Sequence, residues 1–397
     1  MWIQRDISHI LERQIASRPV VVLTGARQVG KTSLLRHLYP KWNFVSLDLP
    51  AEAELAEEQP ETFLARYPRP LMIDEVQYAP KVFRHVKVDV DAHRQDSGRF
   101  LLTGSQKFLL MRGVSESLAG RAAVLELEPL SFREIRRALP DLSIEDVLLR
   151  GGYPELYANP TLRPDEYYRS YFSTYLERDV RSLHNVGSLR DFERFVRACA
   201  LRSAQILNKT DLARDVGISA PTANAWLSVL AASNQVVLLE PWFSNGTKSM
   251  VKSPKLYWGD VGLLVWLLGI RTRDELLRSP YLEAIWESFV CAELRRRQTA
   301  LEGGTSLHFW RDRGREVDFL IHRGGRFELM EAKFTAEPTH RDAAQLRDVA
   351  ERLSGEVIAQ RILCRVANTR QLGPAIAVGP NEAWFEGDRS LAAATST

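Results

Sequence analysis

Cysteine is scarce. Only three occur in 397 residues, Cys199, Cys291 and Cys364, and no two form a CxxC pair. That argues against a disulfide framework or a cysteine zinc site and fits a reducing compartment. The eight histidines are scattered, with no HExxH. Charge of one sign is lacking too. A net charge of +3 gives no overall signal for nucleic acid and leaves only a local basic patch open. Long apolar runs are missing: "VGLLVWLLGI" (Val261 to Ile270) is too short for a bilayer and reads as a buried helix. The start, "MWIQRDISHI", is charged and has no apolar signal core. The expectation is a cytoplasmic protein with no membrane partner and no internal repeat. What remains is ordinary globular material, 45% hydrophobic and 26% charged, long enough for two or three packed domains.

The first part alternates apolar strands with helical stretches. "PVVVLTG" from Pro19, "WNFVSLDL", "PLMIDEV" and "RFLLTGS" read as strands of a parallel sheet covered by helices. Near Glu128 the character changes to mostly helix, punctuated by Pro129, Pro140, "GGYPE" and Pro160. In "NKTDLARDVGISAPTANAWLSVLAASNQVVLLEPWF", Thr210 is the expected cap of a short helix and Gly217 its turn. Ser219 caps a second helix, Ala220 to Ala232, and Val236 to Glu240 is a strand, which is the outline of a winged helix. The expected domains are 1–128, 129–252 and 253–387, with a disordered tail at 388–397.

"GARQVGKT" (Gly25 to Thr32) fits G-x-x-x-x-G-K-[ST], between an apolar strand and an amphipathic helix. Glycines let the backbone N–H groups of Gly25, Ala26, Arg27, Gln28, Val29, Gly30, Lys31, Thr32 and Ser33 approach phosphate at a helix N-terminus. Lys31 supplies charge to the β- and γ-phosphates, and Thr32 offers a hydroxyl to Mg²⁺. "LMIDE" puts Asp74 and Glu75 at the end of a buried strand, Asp74 for the magnesium shell and Glu75 for the attacking water. Ser105 (or Thr103), ending "RFLLTGS", is a hydroxyl within expected reach of the γ-phosphate or the water.

These motifs, "TGARQVGKT", "LMIDEVQ", "LLTGS" and "LAGR", resemble an AAA+ ATPase of the bacterial and archaeal group with an appended C-terminal domain. "GGYPE", "YLERDV" and "KSPKLYWGDVGLL" extend the resemblance over nearly the whole chain. The resemblance implies an α/β fold, ATP with Mg²⁺, and an arginine acting from a neighbouring copy, Arg121 first and Arg178 second. DNA is a candidate partner through the winged helix, which exposes Thr222, Asn224 and Ser228 but no cation; Arg202, Lys209 and Arg214 lie nearby.

"EVDFLIHRGGRFELMEAK" (Glu316 to Lys333) reads as a hairpin about Gly324-Gly325. Pairing Arg323 with Arg326 sets Leu320 opposite Leu329, Asp318 opposite Glu331 and Glu316 opposite Lys333, all on one face. Opposed carboxylates with Cβ atoms about 4.5–5.5 Å apart repel unless a cation joins them. The pattern resembles the PD-(D/E)XK nucleases. The resemblance implies a restriction-endonuclease-like domain with metal at Asp318 and Glu331, Lys333 catalytic, and an acid on the preceding helix, Glu287 before Glu293. Gln345 occupies the following helix. The plain alternative is a Glu316–Lys333 salt bridge on a charged scaffold, and a nucleotide switch whose C-terminal domain binds DNA or protein without cutting.

Overall fold

The computed structural model describes residues 1–105, 107–175, 188–243, 253–300 and 305–380. Arg178 and the tail from Asp388 lie outside the described residues. The chain divides into two compact units. One takes 1–130, 153–159 and 229–235; the other takes 131–152, 160–228 and the chain from 236.

The first unit is built on five strands: β1 (Val20–Thr24), β2 (Asn43–Ser46), β3 (Leu71–Asp74), β4 (Phe100–Gly104) and β5 (Ala122–Glu126). They pair in the order β2-β3-β4-β1-β5, every pair parallel. Strands covered on both faces need continuous apolar runs, and "VVVLT", "LMID" and "FLLTG" are buried from end to end. Helix Val82–Ala92 buries Val82, Phe83, Val86 and Val90, one helical stripe, into the cluster of Val20, Ile73, Phe100 and Leu102. Because all five strands run the same way, the loop after β1, the end of β3 and the end of β4 share one edge. That is the edge where parallel sheets bind ligands.

The second unit holds two sheets. The smaller pairs β6 (Gln205–Ile206), β7 (Val236–Leu239) and β8 (Lys255–Trp258) antiparallel, in the order β6-β8-β7. Helix Lys209–Val216 is capped by Asn208, whose side chain accepts from Thr210 and Asp211 N–H, rather than by Thr210. From the cap position the Asn208 side-chain oxygen reaches both free N–H groups, whereas Thr210 already lies inside the helix. Gly217 ends it at φ 82°, and Ala220–Ala232 follows as read. β8 lies just past the expected seam at 252/253 yet pairs with β7 before it, so the small sheet spans that seam.

The larger sheet adds β9 (Thr305–Asp312), β10 (Arg315–Arg323), β11 (Arg326–Ala332), β12 (Glu356–Leu363), β13 (Arg370–Leu372) and β14 (Ala375–Val378). The order is β13-β14-β12-β11-β10-β9, with parallel pairs at β11/β12 and β12/β14. Helix His340–Ala350 sends Ala343, Leu346 and Val349 into a core with Leu320, Leu329 and Ile362. Helix Leu282–Ala300 is anchored by Trp286, fully buried, whose indole N–H donates to the Leu363 carbonyl at 3.0 Å. The β10–β11 hairpin turns on Gly324 and Gly325, both at positive φ, in the register that turn requires: Arg323↔Arg326, Leu320↔Leu329, and on to Phe319↔Met330. Asp318 stands just beyond that last pair, where β10 also shifts register against β9 between Val317 and Leu320. Such irregularities re-aim side chains.

Candidate functional site

Two clusters of acid and lysine are formed, one in each unit. The first surrounds the loop after β1. Gly25 has φ 150°, and a Cβ there would stand 2.2 Å from the Leu127 carbonyl oxygen, so only glycine fits. Gly30, at φ 93°, opens helix Lys31–Leu38. Ala26 and Val29 are buried, Arg27 is half-buried, and Gln28 and Ser33 are exposed. The buried Arg5 guanidinium ties the loop from behind, donating to the Val29 carbonyl at 2.9 Å and the Glu128 carbonyl at 2.6 Å.

Lys31 is buried, and its ammonium donates to the carbonyls of Gly25 (3.0 Å) and Ala26 (2.9 Å). Asp74, the last residue of β3, accepts from the Thr32 hydroxyl at 2.8 Å and from the Thr103 hydroxyl. Burial pushes its carboxyl above the usual range, against those two hydrogen bonds. Glu75 follows in a left-handed conformation, φ 54°, that costs a non-glycine residue of order 1–3 kcal/mol. Its Oε2 accepts from Ser105 Oγ (2.9 Å), Ser105 N–H (3.2 Å) and the Gln77 amide. Burial pushes the Glu75 carboxyl up, but the Lys31 charge and those donors together hold it below its ordinary value. Glu75 is therefore an ionised, oriented carboxylate. Thr32 hydroxyl and Asp74 carboxylate, in contact at the same edge, are the hard oxygen donors a magnesium shell takes. Arg121 is bidentate on Asp91 (2.8 and 3.0 Å).

The second cluster lies beneath the hairpin. Asp318, Glu331 and Glu287 converge as read, but a fourth group stands among them. The Lys255 ammonium, on β8 and 2% exposed, contacts Glu316 at 2.5 Å, Glu287 at 2.9 Å and Asp318 Oδ1 at 3.3 Å. Tyr257 adds its hydroxyl to Glu287 at 2.6 Å, and the Ala332 N–H takes Asp318 Oδ2 at 3.1 Å. Lys333 pairs with Glu331 Oε1 at 3.1 Å, not with Glu316 across the strands; the nearer carboxylate wins, and Glu316 turns to Lys255 and to Arg311 (3.6 Å). Glu331 Oε2 is buried with no hydrogen-bond partner. Burial first, and then repulsion from Asp318, push the Glu331 carboxyl up to about 8 and the Glu287 carboxyl up to about 7. Glu293 points elsewhere, accepting from the Phe132 N–H (3.1 Å) and Arg296 (2.5 Å). Gln345 donates to the Glu316 carbonyl. The Lys255 ammonium thus stands among the acids where the nuclease resemblance implies a metal, and a cation-filled cluster does not fit that metal. Among the described residues, no group of three or more His, Cys, Asp or Glu is arranged to hold a metal ion.

Lys255, Gln77 and Arg5 carry no site signal in the sequence. "KSPKLYWGD" and "LMIDEVQ" carry the first two within recognisable patterns, but no spacing rule aims them. The cations expected beside a DNA groove are occupied: Arg202 on Asp215, Arg214 on Asp211 (2.8 Å) and Lys209 on Asn224 (2.7 Å). No helix among the described residues is long and apolar enough to cross a membrane.

The parallel sheet and the loop at its edge define a nucleotide-binding ATPase, and residues 17–136 match the family described as an AAA domain. Residues 141–274 match a domain of unknown function (DUF8612), and 282–380 match another (DUF4143). An uncharacterized protein of Mycobacterium tuberculosis is 34% identical over 341 residues, spanning 85% of this chain and 75% of that protein. The chain belongs to the family of that protein. An uncharacterized protein of Methanocaldococcus jannaschii is 24% identical, over 86% of this chain and 79% of its own length. Among solved structures, a Walker-type ATPase of Pyrococcus abyssi aligns with 67% of this chain and 96% of its own, at 19% identity and a TM-score of 0.47.

Proposed function

We propose that the chain binds ATP with Mg²⁺, hydrolyses it, and acts as a nucleotide-driven switch whose restriction-endonuclease-like C-terminal domain engages a partner without cutting it. The observation that carries the first part is Glu75: an ionised carboxylate fixed by Ser105 and Gln77 one residue from Asp74. Its charge and orientation suit it to polarise a water for attack on the γ-phosphate. Lys31 rests on two carbonyls that a phosphate oxygen outcompetes for an ammonium, so binding ATP turns the lysine from the loop to the β- and γ-phosphates. The N–H groups of residues 25–33 cradle the phosphates. Thr32 and Asp74 would hold Mg²⁺, which when bound supplies charge neutralisation on the phosphates. Ser105 holds Glu75. Arg121 serves a neighbouring copy only by leaving Asp91.

The second part rests on Lys255, which already fills the carboxylate cluster that a nuclease would keep for metal. The competing reading, cleavage by Glu287, Asp318, Glu331 and Lys333 in DNA processing or defence, draws on the same convergence of side chains. One experiment addresses both parts. Wild type, Lys31→Ala and Glu75→Gln are assayed for ATP hydrolysis, and wild type and Lys333→Ala for cutting of single-stranded, duplex and branched DNA with Mg²⁺ or Mn²⁺. Hydrolysis lost in both P-loop-site variants, with no cutting anywhere, is expected. Hydrolysis unchanged in Glu75→Gln sinks the first part; cutting that vanishes in Lys333→Ala sinks the second.

A further inference from the structure

We infer that Lys255 is the resident cation of the C-terminal carboxylate cluster and excludes divalent metal from it. The inference deepens the non-cutting reading of this domain and rests on it. Two observations and the geometry of divalent coordination carry it. The ammonium is buried and touches three carboxylates, Glu287, Glu316 and Asp318, within 3.3 Å, so it occupies the space where their oxygens converge. Asp318 already meets a donor on each oxygen, Lys255 on Oδ1 and the Ala332 N–H on Oδ2, so a metal would have to displace the ammonium to reach it. A magnesium or manganese ion needs several such oxygens at about 2.0–2.2 Å in near-octahedral array, which an ammonium at their centre forbids.

The lysine is also held from behind. It sits on β8, whose pairing with β6 and β7 fixes the backbone, and the Phe309 ring lies 5.7 Å from Nζ. Tyr257, two residues on and on the same face of β8, fixes Glu287. The small sheet therefore delivers both a cation and a hydroxyl to acids of the neighbouring helix and hairpin. Lys255 is a positioning residue: it sets the carboxylates around an ammonium in place of a metal.

The test is Mn²⁺ binding to the full chain without nucleotide, read by electron paramagnetic resonance of the free ion. Wild type and Asp318→Asn are compared first, then Lys255→Met and Lys255→Met/Asp318→Asn. The pair Lys255→Met/Glu316→Gln removes one charge of each sign, so the cluster keeps its net charge if Lys255→Met alone does not fold. Expected is no saturable site in wild type at sub-millimolar Mn²⁺. One site should appear on removing Lys255, at least tenfold tighter than any residual binding, and vanish with Asp318→Asn. A wild-type site that Asp318→Asn abolishes overturns the inference. So does a folded Lys255-less protein, with ATP hydrolysis intact, that binds no Mn²⁺. DNA cutting is scored separately: wild type that binds Mn²⁺ at Asp318 yet cuts nothing fails the inference and leaves the non-cutting reading standing.

Discussion

Both units place a buried lysine beside acids at a strand end, and they use it in opposite ways. Lys31 spends its hydrogen bonds on two backbone carbonyls, while Asp74 and Glu75 are satisfied by hydroxyls and an amide. Lys255 spends its own on three carboxylates. The first arrangement is a site in waiting. A carbonyl is a weak partner for an ammonium and an anion readily replaces it, while the neutral donors on the acids leave charge free to meet a cation. The second is closed, since taking Lys255 away leaves buried carboxylates facing one another with nothing between. Whether an ammonium is parked or committed separates a ligand site from a structural ion cluster, even where the residue types match.

The sharpest way to break the comparison is to remove each lysine. Lys31→Ala should lower ATP hydrolysis by about 10²–10³-fold, the usual cost of deleting a donor aimed at transition-state charge, while thermal stability barely moves. Lys255→Met should do the reverse, costing about 3–5 kcal/mol in urea unfolding, as a broken buried ion pair does, with hydrolysis per folded molecule unchanged. If Lys255→Met melted like wild type, the lysine would not be the cluster's counter-ion. Glu75→Gln belongs with the first pair: nucleotide binding kept, and turnover down about 10²-fold or more.

The first site was legible because its chemistry lives in consecutive residues. A phosphate loop is one turn, and its glycines, lysine and threonine stand in one motif; "IDE" needs only a buried strand to aim it. The hairpin register was legible for the same reason as far as Phe319↔Met330, since a two-residue glycine turn fixes the pairs that follow it; the expected pairs at Asp318 and Glu316 lie beyond the paired stretch. Lys255 was not. It meets Asp318 across 63 residues and Glu287 across 32, through a strand of a different sheet. Nothing local distinguishes it from the solvated lysines elsewhere in the chain. The Glu316–Lys333 pairing failed on similar grounds: strand register sets which Cβ atoms are neighbours, but flexible charged side chains then choose among all partners in reach, including Lys255 and Arg311. The helix acid shows the limit of periodicity. Glu287 and Glu293 both lie near the apolar stripe, and only the tertiary packing sends one to the cluster and the other to Phe132 and Arg296.

Glu331 and Glu75, one from each cluster, should also differ in the sign of their pH dependence, while Asp74 shifts upward like Glu331. Glu331 is raised in the folded chain to about 8 from an ordinary 4.5, and Glu287 shifts the same way. Between those values the folded state keeps a proton that the unfolded chain has released, so its stability falls as pH rises through the window. Glu75, lowered on folding, contributes stability that is present above its ordinary value and lost as pH drops through its folded one. Hydrogen exchange of the hairpin backbone should therefore quicken, relative to its intrinsic rate, from about pH 5 to 8, and Glu331→Gln should flatten that trend. An unchanged slope in Glu331→Gln would mean another group carries it.

The smallest effect expected is at Gln77. Its amide donates to the same Glu75 oxygen that Ser105 holds, from a side chain only 6% exposed. Gln77→Ala removes one of three donors to an ionised carboxylate, and a hydrogen bond to a charged group contributes about 1.5–3 kcal/mol. Ser105 still supplies two, so part of that is retained and hydrolysis should fall only a few-fold. The informative readout is the acid limb of the rate profile. Losing a donor that favours the charged form moves the Glu75 carboxyl upward. The limb should shift to higher pH in Gln77→Ala and return in Gln77→Asn only if the shorter amide still reaches Oε2. A fall in rate with no shift of that limb would make Gln77 a packing residue under β4, where its side-chain oxygen lies 2.5 Å from the Cβ that Gly104 lacks.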